Sequence, residues 1–543
     1  MNSLTPASYR VEYRVAASNA PSARRVIGVE GFGPYVTQEL SLLVRFDGER
    51  LDIEAVPHVP LVLERVLVRF SHAYAQRESV LHNGYQSWTT TAWRSVWRSM
   101  RGLETAPRPI VKTYALDAIG DYRFAEYKMN SSRQHGYTYA VLREEGDHVL
   151  VASLDETRGF TRIETDASAG TLTMETECPA RELPEGETVA VASYAVVAGA
   201  EAAVYDRWFA LSGIQARPVR PLVGYSSWYR HYGEIDQDKL GVDLEGAQRA
   251  FGTMPGEPGF AVEGATLLFQ VDDGYCKVGD WLDVNAAKFP DGLPALARRI
   301  RSAGFLPGLW LAPFVCERES RVFVRHPDWV LRDDAGDPVR TGFHWSGHYA
   351  LDTLNPDVRA HVASCVRTIV HEWGFGLLKL DFLYGACLEP HGGMNRGELM
   401  ADALRLVRQA AGEECLLLGC GMPLASGFGL VDYCRIGCDV GLDWDGPLYL
   451  RPLHSERVST KNSLGDTIAR APLDGRAFGN DPDVFFLRDD VKLSERQRRR
   501  LLETDARLGS MLLTSDNMGE WDSEQRAQFQ DAVRVLVGRK APR

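Results

Sequence analysis

The chain has 543 residues, 45% of them hydrophobic and 25% charged, which is ordinary globular composition with room for two or three cores. Its formal charge of -12 argues against nucleic acid or an anionic membrane surface as the partner. Residues 1–30 hold no unbroken apolar core of a secretory signal, and no apolar run approaches the ~20 residues of a membrane helix.

From the start to about residue 205 the sequence is built of short alternating segments, at 40–46, 66–70, 137–142, 148–152 and 188–194, parted by Gly, Asp, Asn and Pro. This pattern predicts an antiparallel β-sandwich over residues 1–205. A connecting helix is predicted over 199–211. From about Arg217 short apolar strands alternate with longer amphipathic stretches, the signature of βα units. Eight strands are predicted, at 222–226, 266–271, 306–311, 377–380, 415–418, 431–436, 476–479 and 510–514. Helices are predicted at 293–303, 357–373, 396–411 and 494–508, with a last one at 523–537. The expected fold is therefore multidomain: a sandwich followed by a (β/α)8 barrel over 206–543. About six residues follow the last helix, so no C-terminal β-domain is expected. The long span 317–354 carries His326, Trp329, His344, Trp345 and His348, and reads as a loop that covers a pocket.

Nine cysteines are present, eight of them after residue 270. That is no secreted disulfide framework, and it points to the cytoplasm. Cys434 and Cys438 lack a second pair or a histidine cluster nearby, and His344 and His348 lack a third ligand. No metal site is expected.

The chemistry concentrates at predicted strand ends. In 377–382 an apolar run carries Lys379 and Asp381 two residues apart, hence on one face if it is a strand. A charge pair is costly to bury, and the C-terminal end of a barrel strand is where active sites lie. Lys379 is expected to pair with Asp381 and keep it ionised. Other strand ends supply Trp228, Asp272 and Asp273, Trp310, Cys420, Arg435, Asp439 and Asp443, and Asp481 and Asp483. Many carboxylates with aromatic faces suit a sugar, whose hydroxyls donate to carboxylates and whose apolar face packs on rings. Glycoside hydrolysis needs two carboxyl groups across the scissile bond. Asp381 and Asp439, at the ends of different strands, can face each other.

Read in order, the motifs resemble the α-galactosidases of glycoside hydrolase family 36, the melibiase-like members of clan D. They are Asn83-Gly84-Tyr85-Gln86-Ser87-Trp88, Gly224-Tyr225-Ser226-Ser227-Trp228-Tyr229, Gln270-Val271-Asp272-Asp273-Gly274-Tyr275, Pro307-Gly308-Leu309-Trp310, Leu378-Lys379-Leu380-Asp381-Phe382, Arg435-Ile436-Gly437-Cys438-Asp439-Val440 and Asn480-Asp481-Pro482-Asp483. The resemblance implies a retaining, exo-acting double displacement on terminal α-galactose, without metal or organic cofactor. Asp381 would be the nucleophile and Asp439 the acid/base. Asp272 and Asp273 would hold sugar hydroxyls, and Trp310, Lys379, Cys420, Arg435 and Trp228 would complete the substrate site.

Two departures stand out. Tyr275 replaces the family's usual tryptophan, and Asp443 competes with Asp439, which lies closer to its strand. Activity toward α-N-acetylgalactosaminides or β-L-arabinopyranosides is a close alternative. A Schiff-base aldolase using Lys379, or an inert sugar-binding protein, are further ones. The expected partner is a small carbohydrate. Trp88, Trp93 and Trp97 suit a pocket rim or the interface of a homo-oligomer.

Overall fold

The computed structural model describes residues 4–16, 24–31, 33–254, 260, 262–446 and 456–540. Its first part is two antiparallel sheets. One has six strands, in the order Arg25–Glu30, Pro6–Val15, Leu61–Ser71, Thr171–Glu177, Thr161–Asp166 and Arg133–Tyr137. The other has eight, running from Tyr35–Val36 through Leu40–Phe46, Arg50–Pro57, Val189–Gly199, Asp147–Ser153, Tyr139–Glu144 and Ser79–His82 to Ala92–Ser95. Strict alternation explains them. Along Arg50–Pro57 and Thr171–Glu177 every second side chain is buried, which places one face of each strand inward. Ile53 and Leu42 of one sheet meet Val66, Val68 and Met174 of the other in one apolar core.

Helix Glu201–Ser212 then leads into a parallel sheet of nine strands. Its strands Leu222–Ser226, Thr266–Val271, Leu306–Leu311, Leu377–Leu380, Leu416–Gly419 and Tyr433–Arg435 pair in sequence order. They are almost wholly buried, as strands covered on both faces must be. The two edge strands of this sheet are Gly479–Asp481 and Val484–Phe485, parted only by Pro482 and Asp483. One stretch of chain thus pairs with Tyr433–Arg435 on one side and with Met511–Thr514 on the other.

The predicted helices lie at Gly292–Ser302, Arg396–Ala411, Glu495–Leu508 and Ser523–Lys540. The predicted helix 357–373 is an α-helix, Pro356–Arg367, continued by a π-turn, Thr368–Glu372. The seventh strand starts at Gly479 rather than 476. Ala477 and Phe478, apolar and buried, belong to a turn in which Gly475 N–H donates to Phe478 O at 2.8 Å. Among the described residues, two helices of more than ten residues escaped the sequence reading, Gln237–Phe251 and Thr460–Arg470, as did short ones such as Arg108–Tyr114. Both carried legible N-caps: Asp236 accepts Lys239 N–H at 2.8 Å, and Ser459 accepts Asn462 N–H at 3.1 Å. The span 317–354 contributes a small antiparallel sheet of Val315–Glu317, His348–Ala350 and Arg340–Gly342.

The loop 83–89 ties the antiparallel sheets to the parallel one. Arg470, fully buried, donates to Asn83 Oδ1, Gln86 O, Ser87 O and Thr89 O at 2.6–3.1 Å, and to Ile436 O at 2.9 Å. Arg396 forms a second tie to Glu177.

Candidate active site

The C-terminal ends of the parallel strands open on a cavity of about 150 Å³. Asp272 and Asp273 follow Thr266–Val271, Asp381 follows Leu377–Leu380, and Asp439 stands four residues past Arg435; all four line the cavity with Trp228 and Trp310. Trp88 and Ile119 reach it from the first part of the chain, and His344 and Trp345 from the 317–354 excursion. A larger cleft of about 500 Å³ opens on the antiparallel sheets, but charges there such as Arg50 and Asp52 pair with each other at 2.9 Å.

Asp381 is held from two sides. Its Oδ2 accepts the Trp310 indole N–H at 2.9 Å and its Oδ1 accepts Phe382 N–H at 2.9 Å. These two donors fix its rotamer. Asp439 differs. Its side chain is 39% exposed to the cavity, and its Oδ1 accepts Arg435 Nη1–H at 3.0 Å. The cavity is small and walled by protein, so desolvation pushes the carboxyl above the usual range, against the pull of Arg435 and Lys379 and with help from the Asp381 charge. Arg435 also binds Asp481 at 3.0 Å and Asp483 at 2.8 Å.

The expected Lys379–Asp381 hydrogen bond does not form. Lys379 Nζ donates instead to Asp272 Oδ2 at 2.8 Å, where Gln270 Nε2 also donates at 2.6 Å. Burial works against the Lys379 charge, but the Asp272 carboxylate outweighs it and holds the ammonium charged well above its ordinary range. Asp381 feels Lys379 only at longer range. Asp273 is pushed up to about 7 by burial, opposed by the indole N–H of Trp345, which donates to its Oδ2 at 2.7 Å.

The cavity thus gathers Asp272, Asp273, Trp310, Trp228, Asp381 and Asp439. Lys379, Cys420 and Arg435 lie behind its wall: Cys420 Sγ accepts the Trp88 indole N–H at 3.3 Å, and Arg435 acts through the aspartates it binds. Asp443 is not among the lining residues; its Oδ1 accepts Gly446 N–H at 2.8 Å. Of the three N-terminal tryptophans only Trp88 lines the cavity. Trp93 lies under the Arg143 guanidinium at 4.2 Å, and Trp97 donates to Ala75 O. The loop reading of 317–354 holds, since Trp345 and His344 form one wall. His348 Nδ1 sits 2.6 Å from Thr341 Oγ1, and no cluster of metal-binding side chains occurs among the described residues. Sequence reasoning missed Phe382, Cys438, Ile119, Glu456 and Val458 in the lining. Only Phe382, beside Asp381, and Cys438, beside Asp439, carried a signal.

Fold and site together define a cleft lined by carboxylates and tryptophans at the ends of a parallel sheet. Residues 256–387 match the Melibiase family model. TtGalA, an α-galactosidase from Thermus thermophilus solved in complex with p-nitrophenyl α-D-galactopyranoside, is 28% identical, with 91% of this chain and 92% of that one covered and a TM-score of 0.70. The family 36 α-galactosidase AgaA from Geobacillus stearothermophilus, 11% identical with a TM-score of 0.59, covers 97% of this chain and 75% of its own, and shares the fold. Probable alpha-galactosidase G of Emericella nidulans is 28% identical over 255 residues, 43% of this chain and 32% of that protein. The alignment with this curated relative thus spans about a third of its length. The chain is thus similar to α-galactosidases, over residues 256–387 by the family model and over most of its length by the likeness to TtGalA.

Proposed function

We propose that the protein is a retaining, exo-acting α-galactosidase that removes terminal α-D-galactosyl residues from small saccharides or glycosides. The observation that carries this reading is the pairing of Asp381 and Asp439 on one small cavity in contrasting environments. Asp381, fed by two N–H donors, is suited to attack the anomeric carbon as a carboxylate. Asp439, pushed up by burial, is suited to carry the proton for the leaving oxygen and then to take one from water. Retention calls for a carboxyl separation of ~5–5.5 Å in the working complex. Asp272 and Asp273 would accept sugar hydroxyls, and Trp310 and Trp228 would pack on the ring. Lys379, Cys420 and Arg435 would support the site from behind the lining.

In this reading residues 1–205 form a β-sandwich unit that lends Trp88 to the catalytic unit 206–543. The nine-strand sheet closes as a (β/α)8 barrel, its edges joined through Pro482 and Asp483. All nine cysteines are free thiols, which fits a reducing cytoplasm, and no helix among the described residues is long and apolar enough to cross a membrane. The aldolase alternative is disfavoured because Lys379 is held as a charged ammonium by Asp272, and an ammonium is no nucleophile.

The test is hydrolysis of p-nitrophenyl α-galactoside, α-N-acetylgalactosaminide, β-L-arabinopyranoside and α-glucoside by the wild type and Asp381→Ala, with the first-formed anomer read by NMR. Release from the α-galactoside with an α-anomeric product, abolished in the variant, is expected. Release of the β-anomer would refute double displacement, and preference for another sugar would refute the α-galactoside assignment.

A further inference from the structure

Two large side chains beside the cavity have left-handed backbones, Trp345 (φ 53°) and Phe382 (φ 49°), and their rings touch at 5.3 Å between centroids. Such a conformation costs about 1–3 kcal/mol for a non-glycine residue and persists only where its surroundings impose it. The turn carrying Trp345 is tied down closely. Gly347 N–H donates to His344 O at 2.9 Å and Arg318 N–H to Gly347 O at 3.0 Å. Ser346 Oγ–H donates to Glu317 Oε2 at 3.0 Å, and Glu319 N–H donates to Ser346 Oγ at 3.1 Å. The turn therefore holds an indole at a fixed place. That place is over Asp273, 2.7 Å from its Oδ2, with Trp310 at 6.0 Å on the other side. Asp273 itself is 7% exposed while Trp345 is 36% exposed, so the indole separates the carboxylate from bulk water.

We propose that Trp345 is a specificity-determining residue that closes the Asp273 end of the cavity, so that the hydroxyl accepted by Asp273 must be free. The inference rests on the glycosidase reading and deepens it: accepted sugars carry no substituent on one particular oxygen. The indole takes one lone-pair direction of Oδ2 and its ring stands beside that oxygen. A hydroxyl reaching Asp273 lies against the ring, and an ether at the same oxygen meets it. Trp310 and Phe382 pack beside the indole, and the tied turn fixes the backbone that carries it.

The test compares kcat/KM for p-nitrophenyl α-galactoside and its 2-, 3-, 4- and 6-O-methyl ethers in the wild type, Trp345→Phe and Trp345→Ala, with thermal melts as a folding control. The wild type is expected to reject the ether at the enclosed oxygen. Trp345→Ala should raise that ether relative to the parent by about tenfold or more, at that position only, the scale set by one methyl group in a pocket. Trp345→Phe keeps a ring without the N–H and should keep the rejection; Trp345→Leu carries the comparison if the alanine variant does not fold. Ether-to-parent ratios unchanged within about threefold, or raised alike for all ethers, would overturn the inference while leaving the glycosidase reading intact. A wild type inactive on the parent glycoside would overturn both.

Discussion

Arg470 offers the sharpest test of how the two parts of the chain make one site. Its guanidinium is fully buried and donates to five oxygens, four of them in the loop 83–89 that carries Trp88 and one on Ile436, three residues before Asp439. Lysine keeps the charge but has only three N–H donors on a compact head. In Arg470→Lys at least two of these acceptors lose the Arg470 donor; Gln86 O and Asn83 Oδ1 keep Thr89 and Thr91 as donors, and each acceptor left with none costs about 1–3 kcal/mol. With about one acceptor orphaned, the expected loss is about 1–3 kcal/mol, read as a lower urea midpoint at unchanged slope. Activity should fall as well. The loop that loses its anchor carries Trp88, whose ring packs on Phe382 at 5.1 Å, and displacements of about 1 Å at such walls cost up to ~10²-fold. If this route is right, adding Trp88→Ala to Arg470→Lys lowers kcat/KM little further than Trp88→Ala alone. A lysine variant within about 0.5 kcal/mol of the wild type, or fully additive kinetic losses, would refute the reasoning.

Two further predictions separate roles by pH and by position. Asp439→Asn should lower kcat on a glycoside with a poor leaving group by about 10²–10⁴-fold, whereas Asp443→Asn should stay within about threefold of the wild type. The alkaline limb of kcat/KM, where the proton on Asp439 is lost, should lie above the ordinary carboxyl range because burial raises that group, and should vanish in Asp439→Asn; a limb that survives the substitution assigns it elsewhere. Glu156 is buried and pushed up to about 8, while Thr161 N–H donates to its oxygens at 3.2 and 3.4 Å. The folded state therefore keeps a proton that the unfolded chain releases near pH 4, so this group's stabilisation is complete below pH ~4 and is lost as pH rises toward ~8. Glu156→Gln stays neutral, so urea midpoints at pH 5 and pH 8 should shift in its favour by up to about 1.4 kcal/mol per pH unit. Parallel pH dependence in the two proteins would show that Glu156 does not hold that proton.

The fold was legible where one physical pattern dominated. Alternation over 50–57 and 171–177 predicts half-buried strands, and both are such strands. The capping box of Asn395 and Glu398 marks the start of Arg396–Ala411, which was read to the residue. Errors arose where apolar residues served a turn, as at Ala477 and Phe478, and where a clear cap was passed over, as at Gln237–Phe251, whose amphipathic pattern is no weaker than that of the predicted Pro356–Arg367. A reader weighing caps before periodicity would have found that helix.

The site was legible through what strand ends must carry, and less so through what reaches them from elsewhere. Alternation correctly puts Lys379 and Asp381 on one face but says nothing of what lies across the sheet. Lys379 stands opposite Trp310 in register, and beyond the Leu306–Leu311 strand comes Thr266–Val271, which ends on Asp272. A four-carbon stem can span that neighbour. Trp310 in turn takes Asp381 with its indole, leaving the ammonium to Asp272. The two partners exchange places because a planar N–H fixes one carboxylate oxygen while a compact cation satisfies a more deeply buried carboxylate. Asp272 is 2% exposed and Asp381 8%. The stronger charge goes where desolvation is more complete. Trp345 and Trp88 escape any strand-end reading because one comes from a 38-residue excursion at 317–354 and the other from the first sheets. Loop closure across such spans depends on tethers, Ser346 to Glu317 and Arg470 to Ser87, whose partners lie far apart in sequence. No local pattern encodes those meetings.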